Sequence, residues 1–331
     1  MIPNQWYAIL ESKQVRPAKP VGVTRLGEKL VVWRDAQGQA TCMRDRCPHR
    51  GAALSASRVL GDRIECAFHG FQFDTSGQCQ VIPANGATTP VPKGFDVHTY
   101  PTREAHDFIW IWWGEPRQEF PPLPFFEDID DFFTYAGYRD HWSVHYSRAI
   151  ENQLDVVHLP FVHRTTIGRG GNVVVDGPLA TLEDDLMNVW VYNRPEDGTR
   201  ARRPKDLAEP GRPPFLQFRF PNVWQNRISD DIRIFLSFTP IDEENTLIYM
   251  RYYQKVLRAP VLRQLVCLIG KLSSIVILRQ DKRVVLTQRP KKTAVDMDER
   301  LIQGDRPIIL YRRHRQALKE NQEASRDNSS R

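Results

Sequence analysis

The sequence is poor in cysteine and has no long uninterrupted apolar run. Only five cysteines occur among 331 residues, and the N-terminal stretch MIPNQWYAILESKQV has no basic segment followed by an apolar one. We therefore expect no secretory signal and a reducing, cytoplasmic compartment. The most apolar stretch, 261–278, is interrupted by Arg263, Gln264 and Lys271. This pattern predicts a buried amphipathic helix and no membrane span.

The composition shows no bias towards disorder or repeats, and its one marked feature is positive charge. Hydrophobic residues make up 41% of the chain and charged residues 26%, as in ordered globular proteins. The net charge is +6, with basic residues concentrated at 199–212, 279–292 and 312–331. Aromatic residues do not interleave with these clusters, so nucleic acid is not an expected partner. A solvated surface and a docking site for an acidic redox partner both remain open.

The first third of the chain has the pattern of a small all-β domain. Short β-branched and aromatic runs such as KLVVWRD and FIWIWWG alternate with turn signals from 20 to about 115, which predicts strands within a domain over 1–120. A proline-rich stretch, EPRQEFPPLPFF, then reads as a linker. These features predict a domain boundary near residue 120.

The second part mixes helix and strand patterns. A helical segment begins near residue 148, several alternating strands follow, and a long helix is predicted over 259–288. We therefore expect an α+β domain over 121–315, with a curved antiparallel sheet and covering helices. The basic, polar tail at 316–331 is expected to be disordered.

Four soft metal ligands stand in two short loops that each close on glycine. The loop CPHRG offers Cys47 and His49, and the loop CAFHG offers Cys66 and His69. Typical zinc fingers pair cysteine with cysteine and histidine with histidine, whereas each loop here supplies one of each kind. This arrangement suits a [2Fe–2S] cluster with cysteines on one iron and histidines on the other, which is easily reduced. We therefore prefer a cluster to a structural zinc ribbon.

The segment ENQLDVVHLPFVH supplies candidates for a second metal site. His158 and His163 are five residues apart, a spacing that would separate them by about 140° on an unbroken helix. Pro160 is expected to break or kink the helix and bring the two rings together. Asp155 lies three residues before His158, where it can orient a ligand histidine, and Asn152 lies one step earlier on that face.

A third ligand is expected to be a carboxylate, because two histidines and one carboxylate bind oxygen-activating non-haem Fe(II). The candidates are Asp230, Asp231, Asp281, Asp296, Asp298 and Asp305. On a helix over 275–288, Asp281 falls on the same face as Leu278 and Val285. A carboxylate within an apolar stripe is costly unless it is paired or binds a metal. Asp281 is therefore the predicted ligand, and a capping or salt-bridged aspartate is the alternative.

Both motifs resemble those of the Rieske non-haem iron aromatic-ring-hydroxylating oxygenases. The run CPHRG…CAFHGFQFD is similar to their Rieske domain, with Phe71 where tryptophan is more frequent. The pattern N-x-x-D-x-x-H-x₄-H resembles their mononuclear-iron motif, and RQDKRVVLTQRP their late aspartate motif, with Gln280 where glutamate is often found. The resemblance extends from Trp6 to about Arg315. It implies a terminal oxygenase (alpha) subunit of the vanillate and dicamba demethylase-like group, with a catalytic domain of helix-grip (START-like) fold.

The resemblance also implies cofactors, partners and roles. It assigns the Rieske cluster to Cys47, His49, Cys66 and His69. It assigns mononuclear Fe(II) to His158, His163 and Asp281, and catalytic roles to Asp155 and Asn152. Electrons would come from NAD(P)H through a reductase, with or without a ferredoxin, and O₂ would oxidise a small organic substrate. The family's head-to-tail homotrimer would let Asp155 bridge the Rieske histidine His69 of a neighbouring subunit to His158.

The sequence leaves the reaction and the substrate open. Hydroxylation and oxidative O- or N-demethylation start from the same attack on a C–H bond, and a non-catalytic Rieske electron carrier is a further alternative. An apolar, aromatic or alicyclic substrate is expected because apolar side chains are available as cavity walls. These side chains are Phe161, Ile167, Phe215, Phe218, Phe220, Trp224 and Phe235.

Overall fold

The computed structural model describes the backbone of residues 1–329 and the side chains of residues 1–321. The chain forms two compact units, one that includes Pro3–Pro121 and one that continues from Pro122. Their division falls in the proline-rich stretch where the sequence predicts a boundary.

The first unit consists of short antiparallel strands in three sheets. One sheet contains, in spatial order, Gln5–Glu11 (β1), Phe108–Trp113 (β11) and Thr102–Ala105 (β10). The next contains Val21–Arg25 (β2), Glu28–Arg34 (β3), Ala40–Arg44 (β4) and Thr99–Tyr100 (β9). The last contains Arg58–Leu60 (β5), Arg63–Glu65 (β6), Gln72–Asp74 (β7) and Cys79–Val81 (β8).

The two cysteine-containing loops are anchored in the core of this unit. Cys47 and Cys66 belong to one buried cluster with Trp33, Ile64 and Phe73. Burying a large apolar side chain contributes roughly 1.5–3 kcal/mol relative to leaving it exposed. The thiols therefore lie at positions that the packing of the domain itself fixes.

The second unit is built on one seven-stranded antiparallel sheet. Its strands, in spatial order, are Thr134–Trp142 (β12), Thr246–Gln254 (β18), Ile232–Pro240 (β17), Val223–Ser229 (β16), Leu216–Arg219 (β15), Leu186–Arg194 (β14) and Val174–Glu183 (β13). Its helices are Tyr146–Leu154 (α1), Leu159–Val162 (α2), Pro260–Val285 (α3) and Arg306–Ser329 (α4). An all-β unit followed by an α+β unit confirms the predicted fold class.

Helix α3 packs closely against the sheet at one point. A Cβ atom at Gly270 would lie 2.3 Å from the ring of Tyr252 on β18, so the absence of a side chain lets the helix approach the strand. Leu278, Asp281 and Val285 are buried on the inner side of α3, as the helical periodicity predicts.

The outer face of α3 differs from the prediction of a buried helix. Only 17% of its apolar stretch is buried, and apolar periodicity cannot tell which side of a helix is covered. By length and composition α3 could cross a membrane, although a core helix can pass the same test. The absence of a membrane span therefore stays a prediction. The exposed apolar side chains on this helix are Val261, Leu262, Leu265, Leu268, Ile269, Leu272, Val276 and Val284.

The C-terminal tail has a helical backbone over most of its length. Helix α4 continues to Ser329, residues 330–331 lie outside the described residues, and the disorder expected for 316–331 stays a prediction. The segment QALKENQEA is rich in strong helix formers, which accounts for the helical backbone.

A buried ion-pair cluster joins α1 to α4. The Arg312 guanidinium donates to both carboxylate oxygens of Glu151, at 2.9 and 2.7 Å, and also to Glu299 at 2.6 Å. The side chains of Arg312 and Glu151 are each only 4% exposed. We expect Arg312→Met to lower the free energy of unfolding by about 3 kcal/mol, because it removes the main partner of a buried charge.

Urea denaturation followed by circular dichroism measures this change. Lys292→Met is the matched control, because its ion pair with Glu243 is about half exposed on both sides, and it should cost less than about 1 kcal/mol. If both substitutions lower the free energy of unfolding equally, the buried ion-pair cluster contributes no more to stability than an exposed pair.

Candidate active site

The two cysteine-containing loops of the first unit have the same hydrogen-bonding pattern. The amide of Gly51 donates to the carbonyl of Cys47, and that of Gly70 donates to Cys66, each at 2.9 Å. Both glycines adopt positive φ angles, of 76° and 73°, which glycine accepts without strain. Two loops of one geometry therefore present equivalent ligand positions.

Within these loops, the cysteines are buried and the histidines are exposed. Burial is the largest cause that raises the pKa of Cys47, to about 11, so a neighbouring cation is needed to hold a thiolate there. The ring of His49 stacks on Phe71 at 4.7 Å and lies 4.6 Å from the ring of His69. Two buried sulfurs and two surface imidazoles would fit the donor set of an iron–sulfur cluster, and Phe71 packs on the candidate ligand His49.

The role of Pro160 differs from the expected helix break or kink. Helix α1 ends before Asp155, which has extended backbone angles, and Pro160 lies in the first turn of the separate short helix α2. Proline is favoured there because the first helical amides have no intrahelical partner. His158 and His163 cap the two ends of α2. The rings therefore meet because they flank one short helix, and not because a longer helix is kinked.

Three side chains converge on one point between α2 and α3. The Nε2 atoms of His158 and His163 are 3.2 Å apart, and Asp281 Oδ1 lies 3.4 Å from the first and 3.0 Å from the second. Metal–ligand bonds of about 2.1 Å separate two donors by about 3.0 Å at a right angle and about 3.4 Å at a tetrahedral angle. The three donors therefore fit a divalent metal bound on one face, which leaves its other positions open.

The electrostatics of these three side chains favour a positive charge between them. Burial alone would raise the pKa of Asp281, but hydrogen bonds from His158 and His163 outweigh it and lower that pKa to about 2. Burial would lower the pKa of His158, but hydrogen bonds to Asp155 and Asp281 raise it to about 9. A metal ion would take the place of the shared protons.

Two glutamines that the sequence analysis did not select hold the converging side chains in place. Gln280 accepts a hydrogen bond from His163 Nδ1 at 2.8 Å, which leaves Nε2 free for a metal. Gln153 donates to Asp281 Oδ2 at 3.2 Å, which leaves Oδ1 as the inward-facing oxygen. The place of Gln280 beside Asp281 in the late motif was the available signal, whereas Gln153 had none.

The two residues predicted to be catalytic differ in their surroundings. Asp155 Oδ1 accepts hydrogen bonds from the amides of Val157 and His158, at 2.7 and 3.1 Å, and lies 3.7 Å from His158 Nδ1. Asn152 lies on α1 away from the cavity wall. Among the described residues its amide nitrogen has no hydrogen-bond partner. Asp155 is placed to orient His158, and the role of Asn152 stays a prediction.

A cavity of about 490 Å³ opens beside the converging side chains, between the sheet and α3. Of the predicted wall residues, Ile167, Phe215 and Trp224 line it. The others do not. Phe235 lies on the opposite face of β17, Phe218 and Phe220 pack against Tyr311, and Phe161 lies on the surface. A mostly apolar chamber thus adjoins the candidate metal site, as in many enzyme active sites.

Family models match both units of the chain. Residues 5–101 match the Rieske [2Fe–2S] domain. Residues 142–321 match the vanillate O-demethylase oxygenase C-terminal domain. The first match covers both cysteine-containing loops, and the second covers His158, His163 and Asp281.

Relatives and solved structures agree with these matches. The chain is 31% identical over 234 residues to the pea (Pisum sativum) chloroplastic protein TIC 55, covering 67% of this chain and 39% of that protein. It spans less than half the length of the first curated relatives it matches.

Among solved structures, Pseudomonas putida NdmA with caffeine has a TM-score of 0.76 at 25% identity, covering 96% and 91% of the two chains. Dicamba monooxygenase bound to dicamba has a TM-score of 0.75 at 19% identity, covering 98% and 99%, which shows the fold alone. The chain therefore belongs to the Rieske oxygenase family, with a Rieske [2Fe–2S] domain and a vanillate O-demethylase oxygenase C-terminal domain.

Proposed function

We propose that this chain is a terminal oxygenase that hydroxylates an apolar organic substrate at a mononuclear Fe(II) held by His158, His163 and Asp281. The observation that carries the proposal is the convergence of their three donor atoms, 3.0–3.4 Å apart, at the wall of an apolar cavity. When bound, the Rieske cluster would supply single electrons and the ferrous ion would supply oxygen-activating chemistry.

The residues of the chain do the positioning. Cys47 and Cys66 would hold one iron of the cluster in the domain core, and His49 and His69 would hold the other at the surface, where an electron can leave. Gln280 and Gln153 keep the His163 and Asp281 donors aimed inward. The apolar cavity wall would hold the substrate beside these donors.

The proposed partners follow from the electron path. An NAD(P)H-dependent reductase, with or without a ferredoxin, would deliver electrons, and O₂ and a small organic molecule would be the substrates. A homotrimer would bring His69 of a neighbouring subunit to Asp155, which contacts His158. A cytoplasmic location stays a prediction, and no role for nucleic acid is proposed.

Oxidative O- or N-demethylation is the second candidate reaction. The match to the vanillate O-demethylase C-terminal domain favours it. Hydroxylation of a methyl carbon bound to oxygen or nitrogen gives a product that releases formaldehyde, so one site serves both reactions.

Oxygen uptake tests the proposed function. The purified chain, supplied with NADH and a surrogate reductase, is assayed with a panel of neutral aromatics, terpenoids and alkaloids. We expect substrate-dependent O₂ uptake, with an ¹⁸O label from ¹⁸O₂ in a hydroxylated product, or with release of formaldehyde and the demethylated product for demethylation. A cluster that is reduced normally while no member of the panel stimulates O₂ uptake or gains ¹⁸O would contradict the proposal.

A further inference from the structure

The cavity beside the candidate metal site is long and follows helix α3. Its wall on α3 runs from Val266 to Asp281, which corresponds to about 22 Å at the helical rise of about 1.5 Å per residue. On the sheet side, it is lined by inward residues of β15, β16, β17 and β18. A volume of about 490 Å³ lies in the range, roughly 300–1,000 Å³, of pockets that hold one small organic molecule.

The charges of this cavity lie at one end. Apart from Asp155, His158, His163 and Asp281, none of the described lining residues is ionisable near neutral pH, and none is a lysine or arginine. A buried anionic group would therefore have no cation to pair with along the wall, and burying an unpaired charge costs several kcal/mol. An anionic group enclosed along this wall is therefore disfavoured.

Uncharged polar side chains lie partway along the cavity. Asn226 on β16 and Tyr252 on β18 occupy the same ladder row of the sheet. Helix α3 passes Tyr252 at Gly270, and Ser273 and Ser274 follow within one turn. All five residues line the cavity. Four of them have uncharged polar side chains, and we call this set the polar level: Asn226, Tyr252, Ser273 and Ser274. The polar level can form hydrogen bonds with one hydroxyl or carbonyl group of a ligand.

The distance from this level to the candidate metal site sets the shape of the ligand. Ser274 precedes Asp281 by seven residues on α3, or about 10 Å along the helix axis. Besides the polar level and the candidate metal site, the cavity has an apolar wall that includes Leu236, Met250 and Leu278. A matching molecule thus has a polar group about 10 Å from the carbon that is presented for oxidation.

We propose that the substrate of this oxygenase is a neutral, elongated, mostly apolar molecule with one uncharged hydroxyl or carbonyl group about 10 Å from the oxidised carbon. This proposal rests on the proposed function, because only an oxygenase would oxidise a carbon of the bound molecule. The property that it assigns is the binding preference of the cavity. It separates this chain from an oxygenase whose substrate carries a carboxylate or sulfonate.

Two probes of one chain length test the charge of the ligand. Isothermal titration calorimetry on the full-length, iron-loaded chain compares 1-decanol with decane-1-sulfonate, which is a poor metal ligand. We expect 1-decanol to bind at least about tenfold more tightly, a difference of about 1.4 kcal/mol. Equal or tighter binding of the sulfonate would overturn the neutral-substrate assignment.

Two variants test where the selection lies. Ser273→Lys places a cation in the wall at a surface-exposed helix position, and it should raise sulfonate affinity about tenfold and so reverse or abolish the preference. Asn226→Leu should weaken 1-decanol binding about fivefold, the loss of one neutral hydrogen bond, and leave the weak sulfonate binding unchanged. If Asn226→Leu binds 1-decanol as tightly as the unsubstituted chain, the claim that the polar level binds the ligand's hydroxyl group is wrong.

These results are independent of turnover. Calorimetry measures binding without O₂ or a reductase, so a chain that fails the oxygen-uptake test still reports its preference for neutral ligands. Conversely, oxygen uptake with an anionic substrate and a reversed calorimetric preference would leave the proposed function intact and refute only the substrate class.

Discussion

Asp281→Asn is expected to lower the iron content from about three to about two atoms per chain and to abolish substrate oxidation. Asp281 Oδ1 lies within 3.4 Å of both histidine Nε2 atoms, and it is the one carboxylate in this set of donors. An asparagine there gives a neutral, weaker donor beside two neutral imidazoles, so a divalent cation loses its charged partner. The Rieske loops lie in the other compact unit and should keep their two irons.

Iron and acid-labile sulfide are measured on the same samples. Asp230→Asn is the matched control, because the Asp230 side chain is 83% exposed and only pairs with Arg227. It should keep about three irons and full activity. A variant of Asp281 that keeps all its iron would show that the ligand is elsewhere.

Asp155→Asn is expected to keep both metal sites loaded and to lower turnover about a hundredfold or more, the upper range for loss of a residue that supports a metal ligand. The asparagine oxygen can still accept from the amides of Val157 and His158, so the turn between α1 and α2 should persist. What is lost is the negative charge 3.7 Å from His158 Nδ1, together with the proposed link to a neighbouring Rieske histidine.

Stopped-flow spectroscopy separates this effect from metal loss. In Asp155→Asn, the reduced cluster should be reoxidised slowly in the presence of O₂ and substrate, while iron and sulfide contents match those of the unsubstituted chain. The Asp230→Asn protein should reoxidise at the normal rate. Normal reoxidation and turnover in Asp155→Asn would refute the bridging role.

The sequence was most informative where chemistry restricts the residue type. Thiolates and imidazoles in alternating pairs have few uses other than metal binding, so the two loops indicated a cluster before any fold was known. Asp281 was selected from six aspartates by its place on an apolar helix face, and in the structure it lies beside His158 and His163. That argument needed only helical periodicity and the cost of burying a charge.

Contacts between distant segments could not be predicted from the sequence. Gln153 contacts Asp281 across 128 positions, and nothing in its local pattern indicates this partner. Gln280 contacts His163 across 117 positions; its place beside Asp281 points to the site but not to His163 as the partner. The end of α1 before Asp155 was missed for a related reason. Helix boundaries depend on capping and tertiary contacts, which a spacing of histidines does not report.

Solvent exposure was the other weak point. The apolar run of α3 predicted burial, yet most of its large side chains are exposed, because periodicity identifies an apolar helix but not what covers it.

Mössbauer spectroscopy of the ⁵⁷Fe-reconstituted, reduced chain tests the central claim most directly, since it resolves every iron in the sample. Two iron centres of different ligation predict a Rieske pair with inequivalent irons and a separate high-spin ferrous site, in a ratio of about two to one. A spectrum with the pair alone, from protein incubated with excess ferrous iron, would contradict the account of His158, His163 and Asp281 as a second metal centre.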